Sequence, residues 1–148
     1  MSGLAALLAG HNPPDVYQWH SAAHVEDIEH AVEKAGWRMV HLDGWTIEDR
    51  QSFLKATASA FSLPDSAADS VETLGDALAG LDAPEGAAGL VMLWDGWSPL
   101  CRHDERCFQD CLSVFRRRVD DGARGRFAVL LRGDGPPLDL PELPAKHP

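Results

Sequence analysis

The sequence predicts an α/β protein with a small parallel sheet of three or four strands. Three observations predict it. Gly89-Leu90-Val91-Met92-Leu93-Trp94 and Arg126-Phe127-Ala128-Val129-Leu130-Leu131 are apolar almost throughout, as strands buried on both faces are. Helical patterns alternate with such runs, and parallel neighbours need crossovers of helix length. The chain has 148 residues, 45 % of them hydrophobic, which suits one domain with a real core plus a tail.

The elements follow in order. MSGLAALLAG is apolar but has no positive n-region, and His11-Asn12-Pro13-Pro14 stops it early. It reads as an amphipathic or loosely ordered start rather than a signal peptide. Val16-Tyr17-Gln18-Trp19 is a short candidate strand. Val25, Ile28, Val32 and Ala35 recur at helical spacing, and Gly36 is a fitting stop. Trp37-Arg38-Met39-Val40-His41-Leu42 reads as a strand closed by Asp43-Gly44. Thr46 then serves as the expected N-cap, with Glu48 and Asp49 in the first turn where the helix dipole favours acids. Phe53, Leu54, Thr57, Ala58 and Phe61 form the buried face of that helix, and Pro64 breaks it.

The next stretch, PDSAADSVETLGDALAGL, carries Asp65, Asp69, Glu72 and Asp76 and no basic residue. On one continuous helix those acids would share an arc of roughly 60°. Ser66 or Ser70 could cap it, and Val71, Leu74, Leu78 and Leu81 supply the opposite, apolar face. A further helix is expected from about Asp104 to Asp121, with Cys107, Phe108, Cys111, Leu112, Phe115 and Val119 as its core stripe. Arg116-Arg117-Arg118 sits near its end, where cations suit the dipole. From Asp134 the chain turns Pro-rich, with Pro136, Pro137, Pro141, Pro144 and Pro148, and reads as an extended tail.

Composition excludes several function classes. The formal net charge is −10, which opposes nucleic acid or an anionic membrane and favours a basic partner. No apolar run approaches the roughly 20 residues of a membrane span. Cys101, Cys107 and Cys111, odd in number and clustered, do not form a disulfide framework and point to a reducing cytoplasm. Cys107 and Cys111 fall on the apolar stripe, so core packing is preferred over a zinc site with His103. His20 and His24 lie four apart but lack a glutamate in H-E-x-x-H order and a third ligand. His41 reads as a satisfied core or edge histidine, and Trp45 and Trp97 as a binding rim or seals of the sheet edge. Neither a metal nor a cofactor is expected, and no nucleotide or esterase motif occurs.

From Ala56 to Leu100 there is no Lys or Arg, while Asp65, Asp69, Glu72, Asp76, Asp82, Glu85 and Asp95 all lie there. A solvated face is one reading. The sharper one is a docking surface for a basic protein, since a single-sign field speeds association and suppresses wrong partners. A catalytic acid pair is disfavoured, because acids on one solvated face lack the asymmetry that separates their pKa values.

The ordered set HLDGWTIEDRQSFL, FSLP, Asp76-Ala77-Leu78, LWDGW, VFRR and FAVLLRG resembles the barstar-like family of ribonuclease inhibitors over about residues 37–133. Residues 1–36, with GHNPPDVYQWHS, look like the extension of actinobacterial members, and 134–148 form the tail. The resemblance implies a three-layer fold and an intracellular inhibitor, not an enzyme, that plugs the basic active site of a ribonuclease or related toxin. It implies that the acidic helix and the loop before it make the plug. Leu63-Pro64 and Asp76 match the family pattern, and Glu72 replaces its first Asp. Ser66 stands for an aromatic, Ala68 for Gly, Ser70 for Asn, Gly75 for Trp, and Arg117 for an acid. The expected partner-binding residues are therefore Asp65, Ser66, Asp69, Glu72, Gly75 and Asp76. The alternative is a structural or regulatory module, self-associating, whose acidic face only keeps it soluble.

Overall fold

Five parallel strands form one sheet, in the order β2 (Arg38–Asp43), β3 (Gly89–Asp95), β4 (Arg126–Arg132), β1 (Val16–Trp19) and β5 (Glu142–Leu143). The computed structural model describes residues 3–143. Helix α1 (Gly3–Leu8) precedes β1 (Val16–Trp19), α2 (Val25–Lys34) and β2 (Arg38–Asp43). Helix α3 (Arg50–Ala60), a 3-10 turn (Asp65–Ala68) and α4 (Val71–Ala79) lead to β3 (Gly89–Asp95). Helices α5 (Ser98–His103) and α6 (Glu105–Asp120) then lead to β4 (Arg126–Arg132), and β5 (Glu142–Leu143) closes the order.

The α/β class and the parallel sheet stand as predicted. Every residue of β3 is buried, because helices cover both faces of the sheet. Side chains alternate between those faces with period two. Leu90, Met92 and Trp94 join Phe127, Val129 and Leu131 under α3, α4 and α6, where Phe53, Leu74, Leu78, Phe108 and Phe115 complete the core. Val91, Leu93, Ala128 and Leu130 face the other way, against Leu4, Leu7, Ile28, Val32 and Trp37. Trp94 centres the larger core, with Phe53 at 4.8 Å, Phe108 at 5.6 Å and Phe115 edge-on at 6.1 Å between ring centroids. The three cysteines are free and buried.

Several expectations are corrected. The sheet has five strands, since Glu142–Leu143, read as part of a tail, pairs with Gln18 and Trp19 of β1. The Gln18 side-chain amide fixes that segment by donating to the carbonyls of Leu140 (2.9 Å) and Leu138 (3.3 Å). The prolines at 144 and 148, like Met1 and Ser2 of the opening run, lie outside the described residues. Asp49 caps α3 in place of Thr46, accepting from the Ser52 N–H at 2.8 Å. His20 and His24 are surface residues, as expected: His20 follows β1 and pairs with Glu142 (3.1 Å), and His24 flanks the start of α2. Of the two strand-end tryptophans, Trp97 is buried and stacks on Phe108, whereas Trp45 is 52 % exposed.

Arg118 is the largest correction. Its place near the helix end suits the dipole, yet its side chain is fully buried. Its guanidinium donates to the carbonyls of Leu81 (2.9 Å), Gly125 (3.1 Å), Arg124 (3.1 Å) and Asp121 (3.3 Å) and lies 5.2 Å over the Phe127 ring. It thereby ties the exit from α4 to the entry of β4.

The carboxyl ends of the strands are tied by a second network. Asp95 accepts from Arg132 Nε (2.6 Å) and Nη2 (3.0 Å) and from His41 Nε2 (2.9 Å). Arg132 Nη1 donates onward to the carbonyls of Ala23 (2.6 Å) and Ser21 (3.3 Å). Strands β2, β3 and β4 and the segment before α2 thus meet at one carboxylate. Burial by itself would raise the Asp95 carboxyl, but the Arg132 and His41 hydrogen bonds outweigh it and hold it below the usual carboxylate range. Gly96 follows with φ +69°, and a Cβ there would sit 2.6 Å from Trp45, so only glycine fits the turn.

Candidate partner-binding site

The site begins where α3 ends. Phe61 closes the helix, Ser62 adopts φ +55°, and Leu63-Pro64 redirects the chain into the 3-10 turn. Ala67 and Ala68 are the buried side of that turn, so Asp65, Ser66 and Asp69 face solvent. Ser70 then caps α4. Its hydroxyl accepts from the Thr73 N–H at 3.0 Å, and the Thr73 hydroxyl oxygen accepts from the Ser70 N–H at 2.9 Å. This capping box satisfies two otherwise orphaned donors. Thr73 also lies within bonding distance of the Ala67 carbonyl, at 3.1 Å, which links the turn to the helix.

The predicted stripe is therefore broken into two pieces. Asp65 and Asp69 belong to the turn and the linker before the cap, whereas Glu72 and Asp76 belong to α4. Glu72 sits in the first turn, where the dipole favours a carboxylate. Leu74 and Leu78 point into the core, and Val71 is half-buried. Between α3 and the turn lies a groove of about 610 Å³, lined by Gln51, Lys55, Ser59 and Ser62 on one side and Asp65 and Asp69 on the other.

The acids are also less isolated than the local sequence implies. Asp76 accepts from Arg117 Nη2 of α6 at 3.2 Å. Asp82, beyond the helix, accepts from Arg124 Nη1 at 3.0 Å. Gly75 is buried, with no surface of its own to present: a Cβ there would lie 3.1 Å from Val114 Cγ2 on α6. Asp65, Ser66, Asp69, Glu72 and Asp76 are all exposed, along a turn, linker and helix that follow one another, whereas Gly75 is buried. The resemblance already set Arg117 where an acid near the interface is expected, but its pairing with Asp76, and Lys55 across the groove from Asp65 and Asp69, were not read from the sequence. No local pattern marks a contact between residues 41 apart.

Asp65, Asp69, Glu72 and Asp76 are exposed, so the arrangement offers hydrogen-bond acceptors and a negative field to a partner. Among the described residues, no group of three His, Cys, Asp or Glu is placed to hold a metal ion. No helix among them is long and apolar enough to cross a membrane.

Comparison with known proteins adds to this geometry. The family model described as Barstar (barnase inhibitor) matches residues 37–132, more than half of the chain. No curated protein matches. Two solved structures share the fold at 14 % identity. One is the ORC2 protein of Aeropyrum pernix in ADPNP–ADP complexes, with a TM-score of 0.56 over 89 % of this chain. The other is Drosophila ORC bound to DNA, with a TM-score of 0.53 over 83 %. This chain spans 38 % and 33 % of those longer chains, and at such identity the likeness is one of fold alone.

Proposed function

We propose that this chain, which belongs to the barstar family of barnase inhibitors, inhibits a ribonuclease or related toxin by placing its acidic face in the enzyme's basic active site. The observation that carries the proposal is the capped junction at Ser70. It holds a turn bearing Asp65 and Asp69 rigidly against a helix bearing Glu72 and Asp76. Carboxylates held on a rigid backbone can take the places where a phosphate-binding cleft expects anions. Binding then requires little ordering of the inhibitor, which limits the entropic cost of association. Because α4 is fixed on α6 and the sheet, the face keeps its shape as it docks.

In this reading the chain acts in the cytoplasm as an immunity or antitoxin protein. The binding surface lies within residues 37–133, with Asp65, Ser66, Asp69, Glu72 and Asp76 in contact.

The test uses the native chain and an E72K/D76K variant as baits for basic secreted proteins of the producing cell. A captured protein that hydrolyses RNA, and is silenced by the native chain at least a hundredfold more strongly than by the variant, supports the proposal. A captured nuclease that both chains inhibit equally rejects this face. Association should also slow steeply with salt, because a single-sign field is screened within about 10 Å at 0.1 M ionic strength.

A further inference from the structure

The acidic face ends in a cation. Arg117 reaches from α6 across the position of Gly75 to Asp76. Two features of the packing place it there. Gly75 brings α4 close to Val114, and a Cβ on residue 75 would stand 3.7 Å from Arg117 Nη1. A large side chain at 75 would take the space the guanidinium fills. Asp76 then holds the fork by a single hydrogen bond, its only one among the described residues, and both side chains stay more than half exposed. The remaining N–H donors of the guanidinium are open to a planar acceptor. Next along the surface, Arg124 pairs with Asp82. The face is thus acidic at the start of α4, has Lys55 across the groove from the acids of the turn, and carries an ion pair at its far end.

Resting on the proposed inhibitory role, we infer that Arg117 selects the partner. The surface it fits is a protein that is cationic opposite Asp65, Asp69 and Glu72 and carries a carboxylate opposite Arg117. An exposed ion pair contributes little in water. Once an interface excludes water, the same guanidinium set against a wholly cationic cleft is a like charge that draws on Asp76 and takes that carboxylate away from the cleft. A partner with a carboxylate there gains a charge-assisted, two-pronged hydrogen bond instead. Arg117 therefore discriminates by penalising one class of cleft and rewarding the other.

The test uses barnase as the cationic-cleft probe and four chains: native, R117A, R117E and E72K/D76K. Binding is measured at one fixed low salt, and a thermal melt of each chain confirms folding. R117E is expected to bind at least tenfold tighter than the native chain, R117A to fall between them, and E72K/D76K to bind at least tenfold weaker. Binding by R117E where the native chain shows none also supports the inference. If R117E and R117A match the native chain while E72K/D76K weakens, the inference fails and the proposed function stands. Four indistinguishable chains overturn both. A second probe pair reads the carboxylate itself: a lysine octapeptide, and the same peptide with glutamate as its last two residues. The native chain should lose less affinity than R117E, by at least threefold, on passing from the first to the second. Equal losses would overturn the selectivity assigned to Arg117.

Discussion

Two ion pairs in this molecule use the same chemistry for different ends. Asp95–Arg132 lies at the carboxyl ends of the strands, with side chains 11 % and 14 % exposed. Asp76–Arg117 lies on the acidic face, with side chains 66 % and 55 % exposed. In the first, every nitrogen of the guanidinium and both carboxylate oxygens have a partner: two bonds within the pair, a third from His41, and two backbone carbonyls on Arg132 Nη1. The second makes one bond and leaves the rest of its capacity to solvent or a partner. Burial turns a charge pair into a structural tie whose members cannot be removed singly, whereas exposure leaves the pair cheap to break and free for recognition.

The comparison is broken most directly at Asp95. Asp95→Ala leaves the Arg132 guanidinium buried without its counter-charge and should cost about 3–5 kcal/mol, measured by urea unfolding. A loss below 1 kcal/mol would mean that water replaces the carboxylate and that the network is not a tie.

Arg118→Met comes next. It removes a buried fork from four carbonyls while keeping most of the side-chain volume, and should cost about 2–3 kcal/mol. Arg118→Lys should recover only part of that, because an ammonium cannot span carbonyls on both sides of the junction. Equal stability of the Met variant and the native chain would show that the buried charge costs as much as its hydrogen bonds return.

Titration sharpens the same contrast. The folded-state pKa of Asp95 is depressed, so its contribution to stability is fully present above the unfolded value, near pH 4. It is lost as pH falls below that value and through the folded pKa. The native chain should therefore lose stability more steeply below about pH 4 than Asp95→Asn does. Parallel curves for the two chains would remove Asp95 from the acid limb.

These two regions were unequally legible in the sequence. Strands β3 and β4 were readable because a strand covered on both faces must be apolar at every position, and Leu90 to Trp94 are. Strand β5 was not, since two residues between prolines give no periodicity, and its partner is the Gln18–Trp19 segment more than 120 positions away. Cys111 and Phe115 lead by helical spacing to position 118, yet a run of three arginines reads as solvated, and the carbonyls that make burial tolerable come from loops. The acids were readable as a group, and Ser70 as one of two candidate caps; the choice of Ser70 over Ser66 is what divides them. Ser70 and Thr73 carry that signal at capping-box spacing, with Thr in the place of the usual Glu or Gln. Asp76 looked unpaired because its neighbour in space comes from another helix.

The smallest effect is expected on that face. Arg117→Ala should change stability by no more than about 1 kcal/mol, since the pair it breaks is exposed and singly bonded. A double-mutant cycle with Asp76→Ala isolates the coupling, expected at about 0.2–1 kcal/mol, while the Asp95–Arg132 cycle should give well above 1 kcal/mol. The two cycles together decide whether exposure governs the difference. A strong Asp76–Arg117 coupling would make Arg117 part of the scaffold, seated over Gly75 to lock α4 onto α6. A weak one leaves the guanidinium free to exchange Asp76 for a partner's carboxylate, because what an exposed pair does not contribute to folding it need not surrender on binding.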